Sequence, residues 1–286
     1  MPSLKKSIHQ PLIAITLCYC LGAAIDAQAF ELDLDALTGL GASLMGATRK
    51  VPQEEEIEIG SNLISGLLGA APLVDDVALQ KYVNDVGSWV AAGSERPDLP
   101  WLFAVIESDG INAFAAPGGY IVVTRGLYSL LENEAQLAAV LAHEISHVVR
   151  KHHLQALQKS MQGDFLSKLA VMSVADDEDR AHLDKLVNAG LQLYVVGLDR
   201  VYEYDADQDG VVLAARAGYD PYAMLDVLTT IDSINPESSE LTVMLNTHPP
   251  TADRLDQLAN QMDGRMDQYA SGQTNGTRFQ QVTSNR

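Results

Sequence analysis

The chain has 286 residues, 47% hydrophobic and 20% charged, which suits one globular domain with short extensions and excludes wholesale disorder. Its 38 acidic residues against 19 basic ones give a formal net charge of −19. Such a surface repels phosphate backbones and anionic lipid, so nucleic acid is excluded as an expected partner.

The first 29 residues read as an export signal. Lys5 and Lys6 form a basic start, Pro11 to Ile25 an apolar stretch, and Ala27-Gln28-Ala29 the small-x-small pattern before a cleavage point, leaving Phe30 first. The alternative is a membrane anchor kept by an uncleaved segment, although the stretch is short for a full span. Cys18 and Cys20 both lie inside this segment. The mature chain is therefore expected to lack disulfides, a thiol nucleophile and a thiolate metal ligand. Tyr19 next to Cys20 fits lipidation poorly.

Residues 30–54 form an N-terminal extension rich in Leu, Gly and Ala. Helical spacing predicts helices over 55–68 and 75–92, the second marked by Val77, Tyr82, Val83, Val86 and Val90. After the Arg96–Pro100 breaker, Trp101 to Glu107 reads as a strand. Asn112 to Thr124 reads as a hairpin turning at Gly118-Gly119, with Pro117 assigning its first arm to a sheet edge.

A long helix is expected from Asn133, with Gln136 as capping-box partner, to about His152. Further helices follow at 154–172, 180–196 and 199–217, with the acidic run Asp176–Asp179 as a loop. The apolar run Phe165 to Ala175 is too short for a span and carries Lys168. Gly218 suits a helix C-terminus, Asp220-Pro221 a helix start, and 251–263 a last helix. Residues 266–286 are polar and read as a disordered tail, leaving 55–265 as the main domain.

His143-Glu144-Ile145-Ser146-His147 places two imidazoles four residues apart, so on a helix both can reach one ion. Leu137, Val140, Leu141, Ile145 and Val148 form an apolar stripe that includes Glu144. A carboxylate pressed into such a face has a raised pKa, as suits a general base. The bland alternative is two surface histidines beside a Glu. Catalytic zinc needs a third protein ligand, and without cysteine it must be His, Asp or Glu. Glu203 and Asp207, four apart, offer one carboxylate for metal and one to orient a histidine. Read alone, Asp199, Glu203, Asp205, Asp207 and Asp209 equally suit one solvated acidic face. His152, His153 and His182 read as exposed helical histidines, with Lys151-His152-His153 closing a helix.

Four ordered pieces carry a resemblance: Asn112-Ala-Phe-Ala-Ala-Pro-Gly-Gly, Leu137 through His147, Arg200-x-x-Glu203-x-x-x-Asp207, and His248-Pro249 followed by Arg254. Residues 112–254 resemble the gluzincin metalloendopeptidases of the prenyl-protease and HtpX-like kind, including exported quality-control proteases. The resemblance implies an α+β, mostly helical zincin-type domain with a small sheet whose edge strand lies along the active-site cleft. It implies one Zn2+ on His143, His147 and Glu203, Asp207 beside them, and Glu144 as base on zinc-activated water. His248 and Arg254 would stand near the metal and stabilise an oxyanion, against the bland readings of a turn cap for His248 and local ion pairs to Asp253 or Asp256 for Arg254. Asn112, Ala113, Phe114, Ala115 and Ala116 would bind substrate as an added strand. The implied activity is endopeptidase cleavage of unfolded or misfolded exported polypeptides in the periplasm, with peripheral association with the outer-membrane protein assembly machinery. The rival reading is an exported chaperone-like binding protein with a structural or autoinhibited zinc site. The chain departs from the multi-spanning members, since no span is read after residue 30.

Overall fold

The computed structural model describes residues 50–161, 198, 200–234, 248 and 251–283. The export signal, the extension to residue 49, the Phe165–Ala175 run, the Asp176–Asp179 loop, the 180–196 helix, His182, Asp199 and Pro249-Pro250 lie outside the described residues. Among the described residues no helix is long and apolar enough to cross a membrane.

Helices α1 (Gln53–Ala70) and α2 (Val77–Ala91) precede strand β1 (Leu102–Ile106). Asp76 caps α2 by accepting from Leu79 N, and the face bearing Leu79, Val83, Val86 and Val90 is buried. The hairpin follows as β2 (Ala113–Ala116) and β3 (Tyr120–Thr124), antiparallel with Ala113 opposite Val123 and Ala116 opposite Tyr120. Gly118 and Gly119 make its turn with φ of 84° and 105°, which residues with a side chain rarely adopt. Strand β1 pairs in parallel with β3, so the sheet order is β1-β3-β2 and β2 is an edge. Thr124 accepts from Leu127 N and starts helix α3 (Arg125–Leu130).

Helix α4 (Glu134–Val149) is the axis of the domain. Asn133 caps it by accepting from Gln136 N, while the Gln136 side chain reaches back to Glu132 N. The expected apolar stripe is an understatement, because every residue from Glu134 to Val148 is buried. A helix covered on all sides sits at the centre of its domain, which places its polar residues in low dielectric. It ends three residues before the expected point. Lys151 adopts a left-handed φ of 59°, and helix α5 (His152–Met161) starts just beyond it. His152 therefore opens a helix rather than closing one, and it is buried, not exposed.

Helix α6 (Arg200–Arg216) packs along α4. A Cβ on Gly210 would come within 3.0–3.1 Å of the His143 backbone, so glycine permits this close approach. Gly218 follows α6 with φ 90°, as expected of a helix end. Asp220 accepts from Tyr222 N in a turn, and helix α7 (Ala223–Asp232) starts after it rather than at Pro221. Helix α8 (Thr251–Met262) packs on α6 and α7.

The tail differs from its expectation. Gly276–Thr283 forms helix α9, with Phe279 only 2% exposed against Tyr82 and Tyr128. Arg278 and Asn275 bond to Glu134, which also accepts from Tyr82 and Tyr219. One buried aromatic and a shared carboxylate order a segment whose average polarity predicts disorder.

Candidate metal centre

His143 and His147 stand one turn apart on α4 with their Nε2 atoms 3.0 Å apart. Glu203, from the first turn of α6, places Oε2 3.6 Å from His143 Nε2 and Oε1 3.4 Å from His147 Nε2. His248 brings Nδ1 to 2.6 Å from Glu203 Oε2. Each of the four offers a ligand atom, and all four atoms lie within 4.8 Å of one another. Close packing of two helices therefore converges residues separated by some sixty positions in the chain.

The donor set fits a zinc ion. Imidazole nitrogens and a carboxylate oxygen suit that metal. Glu203 is fully buried, and its Oε1 has no hydrogen-bond partner among the described residues. A buried carboxylate oxygen without a partner is costly unless a cation faces it.

Charge around the donors is arranged for such a cation. Asp207 Oδ1 lies 2.9 Å from His143 Nδ1, turning that ring's other nitrogen toward Glu203. Burial disfavours the imidazolium of His143, but the hydrogen bonds to Asp207 and Glu203 outweigh it and raise its pKa to about 9. A metal at Nε2 would take the place of the proton that these carboxylates attract. Burial dominates at His147 and lowers its pKa well below the usual value. Burial also raises the Glu144 carboxyl, which lies in the apolar interior of α4 as its position in the stripe implied.

Arg254 of α8 is 2% exposed and grips Asp207 with two bonds, Nε to Oδ2 at 2.8 Å and a terminal nitrogen to Oδ1 at 2.5 Å. Its other terminal nitrogen lies 3.5 Å from Glu203 Oε2. Both local partners anticipated for Arg254 give way to these, and Asp253 pairs instead with Arg200. Asp205 and Asp209 are partly exposed near Arg150, so the acidic run divides into an outward face and an inward pair.

A small cleft of about 30 Å³ opens beside these groups, lined by Asn112, Ala113, His143, Glu144, His248 and Arg254 together with apolar residues of α4 and α7. Asn112 hydrogen-bonds Thr124 through its backbone, while both polar atoms of its amide are buried without a partner among the described residues. Phe114, Ala115 and Ala116 continue along the edge strand beyond the cleft lining. Sequence reasoning missed His152, whose Nδ1 lies 3.0 Å from His147 Nδ1. Its i,i+5 spacing matches no helical period, because the chain turns between the two residues.

Comparison with known proteins identifies relatives of this chain. The chain is 32% identical over 262 residues to the beta-barrel assembly-enhancing protease of Escherichia coli (strain K12), covering 90% of this chain and 52% of that protein. It is 30% identical over 246 residues to the protein of the same name from Yersinia pestis, covering 84% of this chain and 50% of that one. It is also 31% identical over 174 residues to the mitochondrial metalloendopeptidase OMA1 of Schizosaccharomyces pombe, covering 61% of this chain and 50% of that protein. The chain thus spans about half the length of the curated relatives it matches. The profile of peptidase family M48 matches residues 78–262, which hold both central histidines, Glu203, His248 and Arg254, and the chain belongs to that family of zinc metalloproteases.

Proposed function

We propose that the chain is a zinc-dependent endopeptidase that holds its metal on His143, His147 and Glu203. The observation that carries this reading is the convergence of those donors, one of them a buried carboxylate oxygen with no partner among the described residues, with Glu144 on the same cleft. Membership in a metalloprotease family favours it over the holdase alternative. When bound, zinc supplies Lewis acidity for the attacking water and the scissile carbonyl. Glu144 takes the proton of that water and returns it to the leaving amine nitrogen; its raised pKa suits both transfers. Asp207 holds His143 in the tautomer that presents Nε2, and Arg254 holds Asp207.

Substrate enters as an extended chain beside β2, where Asn112 and Ala113 reach the cleft. That mode requires unfolded segments, so the substrates are unfolded or misfolded polypeptides. Lys5-Lys6, Pro11 to Ile25 and Ala27-Gln28-Ala29 support a reading of the protein as exported to the periplasm, with cleavage after Ala29. The name shared by its bacterial relatives, beta-barrel assembly-enhancing protease, supports peripheral association with the machinery that assembles such proteins.

Metal analysis together with casein digestion tests the activity. Purified protein is expected to bind one zinc ion per chain and to lose digestion on chelation, and His143→Ala or His147→Ala should each lose the metal. Stoichiometric zinc surviving in both variants would sink the assignment.

His248 has a second role in this reading. Its imidazole already lies among the donor atoms and contacts Glu203, from where it would compete with substrate for a bound metal. His248→Ala is therefore expected to digest unfolded casein faster than the parent at equal zinc content. Slower turnover at equal zinc content would assign His248 to the transition state instead.

A further inference from the structure

A histidine that binds metal through Nε2 must carry its proton on Nδ1, and a buried Nδ1–H needs an acceptor. For His143 the acceptor is the Asp207 carboxylate. For His147, only 1% exposed, the group at hydrogen-bond distance from Nδ1 among the described residues is His152 Nδ1, 3.0 Å away. His152 is itself 2% exposed, and an imidazole nitrogen without a hydrogen at that distance can accept.

The surroundings fix that ring through the backbone corner before it and through a stack on its face. Lys151 holds the left-handed corner that folds His152 back onto α4, and its ammonium pairs with the buried Glu56 carboxylate at 2.6 Å. Glu56 is gripped by both terminal nitrogens of Arg96, at 2.7 and 3.0 Å. The His152 ring stacks on Tyr202, centroids 4.4 Å apart and planes 19° apart, and Tyr202 directly precedes Glu203. Tyr202 in turn donates to Gln155 of α5.

We propose that His152 is a positioning residue. It accepts the Nδ1–H of His147 and so holds that imidazole with Nε2 toward the metal, and its stack on Tyr202 ties this ligand to the helix that carries Glu203. The inference rests on the zinc reading above and adds a histidine that does not touch the metal. It gives the two ligating imidazoles unlike acceptors, a carboxylate for one and a neutral ring for the other.

The test compares His152→Asn with His152→Leu in the full chain. The two side chains are nearly equal in size, but only Asn keeps an acceptor where Nδ1 stood. Zinc affinity is read by competition with a chromophoric chelator, and folding of each metal-free protein by circular dichroism. The Leu variant is expected to bind zinc about 10–100-fold more weakly than the parent, and the Asn variant within about threefold of it. Should the Leu variant fail to fold, His152→Phe, which preserves the stack on Tyr202, takes its place with the same expected loss. Equal affinities for folded acceptor-bearing and acceptor-lacking variants would overturn the proposal and make position 152 a packing site. A parent that binds no zinc would overturn the metal reading itself, a result distinct from a zinc-binding parent with indifferent variants.

Discussion

Glu144→Gln is expected to lower casein turnover by about 10²–10⁴-fold, the usual contribution of a positioned general base. The amide has the size of the carboxylate but cannot take a proton from water at neutral pH. Zinc content should stay at the parent's level, because Glu144 is absent from the group of convergent donors. The fold should also survive. Glu144 is 3% exposed and forms no ion pair within 4 Å among the described residues, so the change removes a buried charge without stranding a partner. Burial that raises its pKa also makes the charged form costly, and a neutral amide relieves that cost. Turnover near the parent's rate, measured at equal zinc loading, would remove Glu144 from the role of base.

What could be read from the sequence follows the range of the interactions involved. The His143–His147 pair and the burial of Glu144 are local consequences of one helical period, and the sheet edge at Asn112 to Ala116 follows from Pro117 and the glycine turn. Glu203 and Asp207 are visible as a spaced pair. Their selection over Asp205 and Asp209 depends on which face of α6 meets α4, and acids alternating along the same run do not display that choice. Contacts set by long-range folding left little local trace. Arg254 reaches Asp207 across 47 residues, and Glu56 reaches the hairpin turn at Gly118 across 62. The tail is the plainest case. Phe279 is the one buried residue among the described residues of a polar stretch, and no periodicity announces that it will fill the space between Tyr82 and Tyr128. His152 was misread for a related reason, since a turn at a non-glycine residue with positive φ is not visible in composition.

Arg254→Ala is expected to cost about 3–5 kcal/mol of stability, the penalty for leaving a buried charge unpaired. Two carboxylates depend on this guanidinium. Asp207 takes two hydrogen bonds from it, and Glu203 lies 3.5 Å from its remaining terminal nitrogen. Burial alone would raise the Asp207 pKa, and the charge and hydrogen bonds of Arg254, joined by those of His143, more than reverse that, so the acid ends below its usual value. The arginine thereby keeps Asp207 ionised and aimed at His143. Denaturant unfolding of the metal-free protein measures the loss directly. The double variant Arg254→Met with Asp207→Asn should recover a large part of it, because both members of the pair then become neutral. Zinc affinity should remain weakened in that double variant, since an amide is a poorer acceptor than a carboxylate for the His143 Nδ1 proton. This separation distinguishes a positioning role from one at the oxyanion, which the sequence resemblance also allowed. A group needed only for the transition state would leave the stability and zinc affinity of Arg254→Ala at the parent's values and lower turnover alone. That outcome would overturn the positioning role and return Arg254 to the reacting carbonyl.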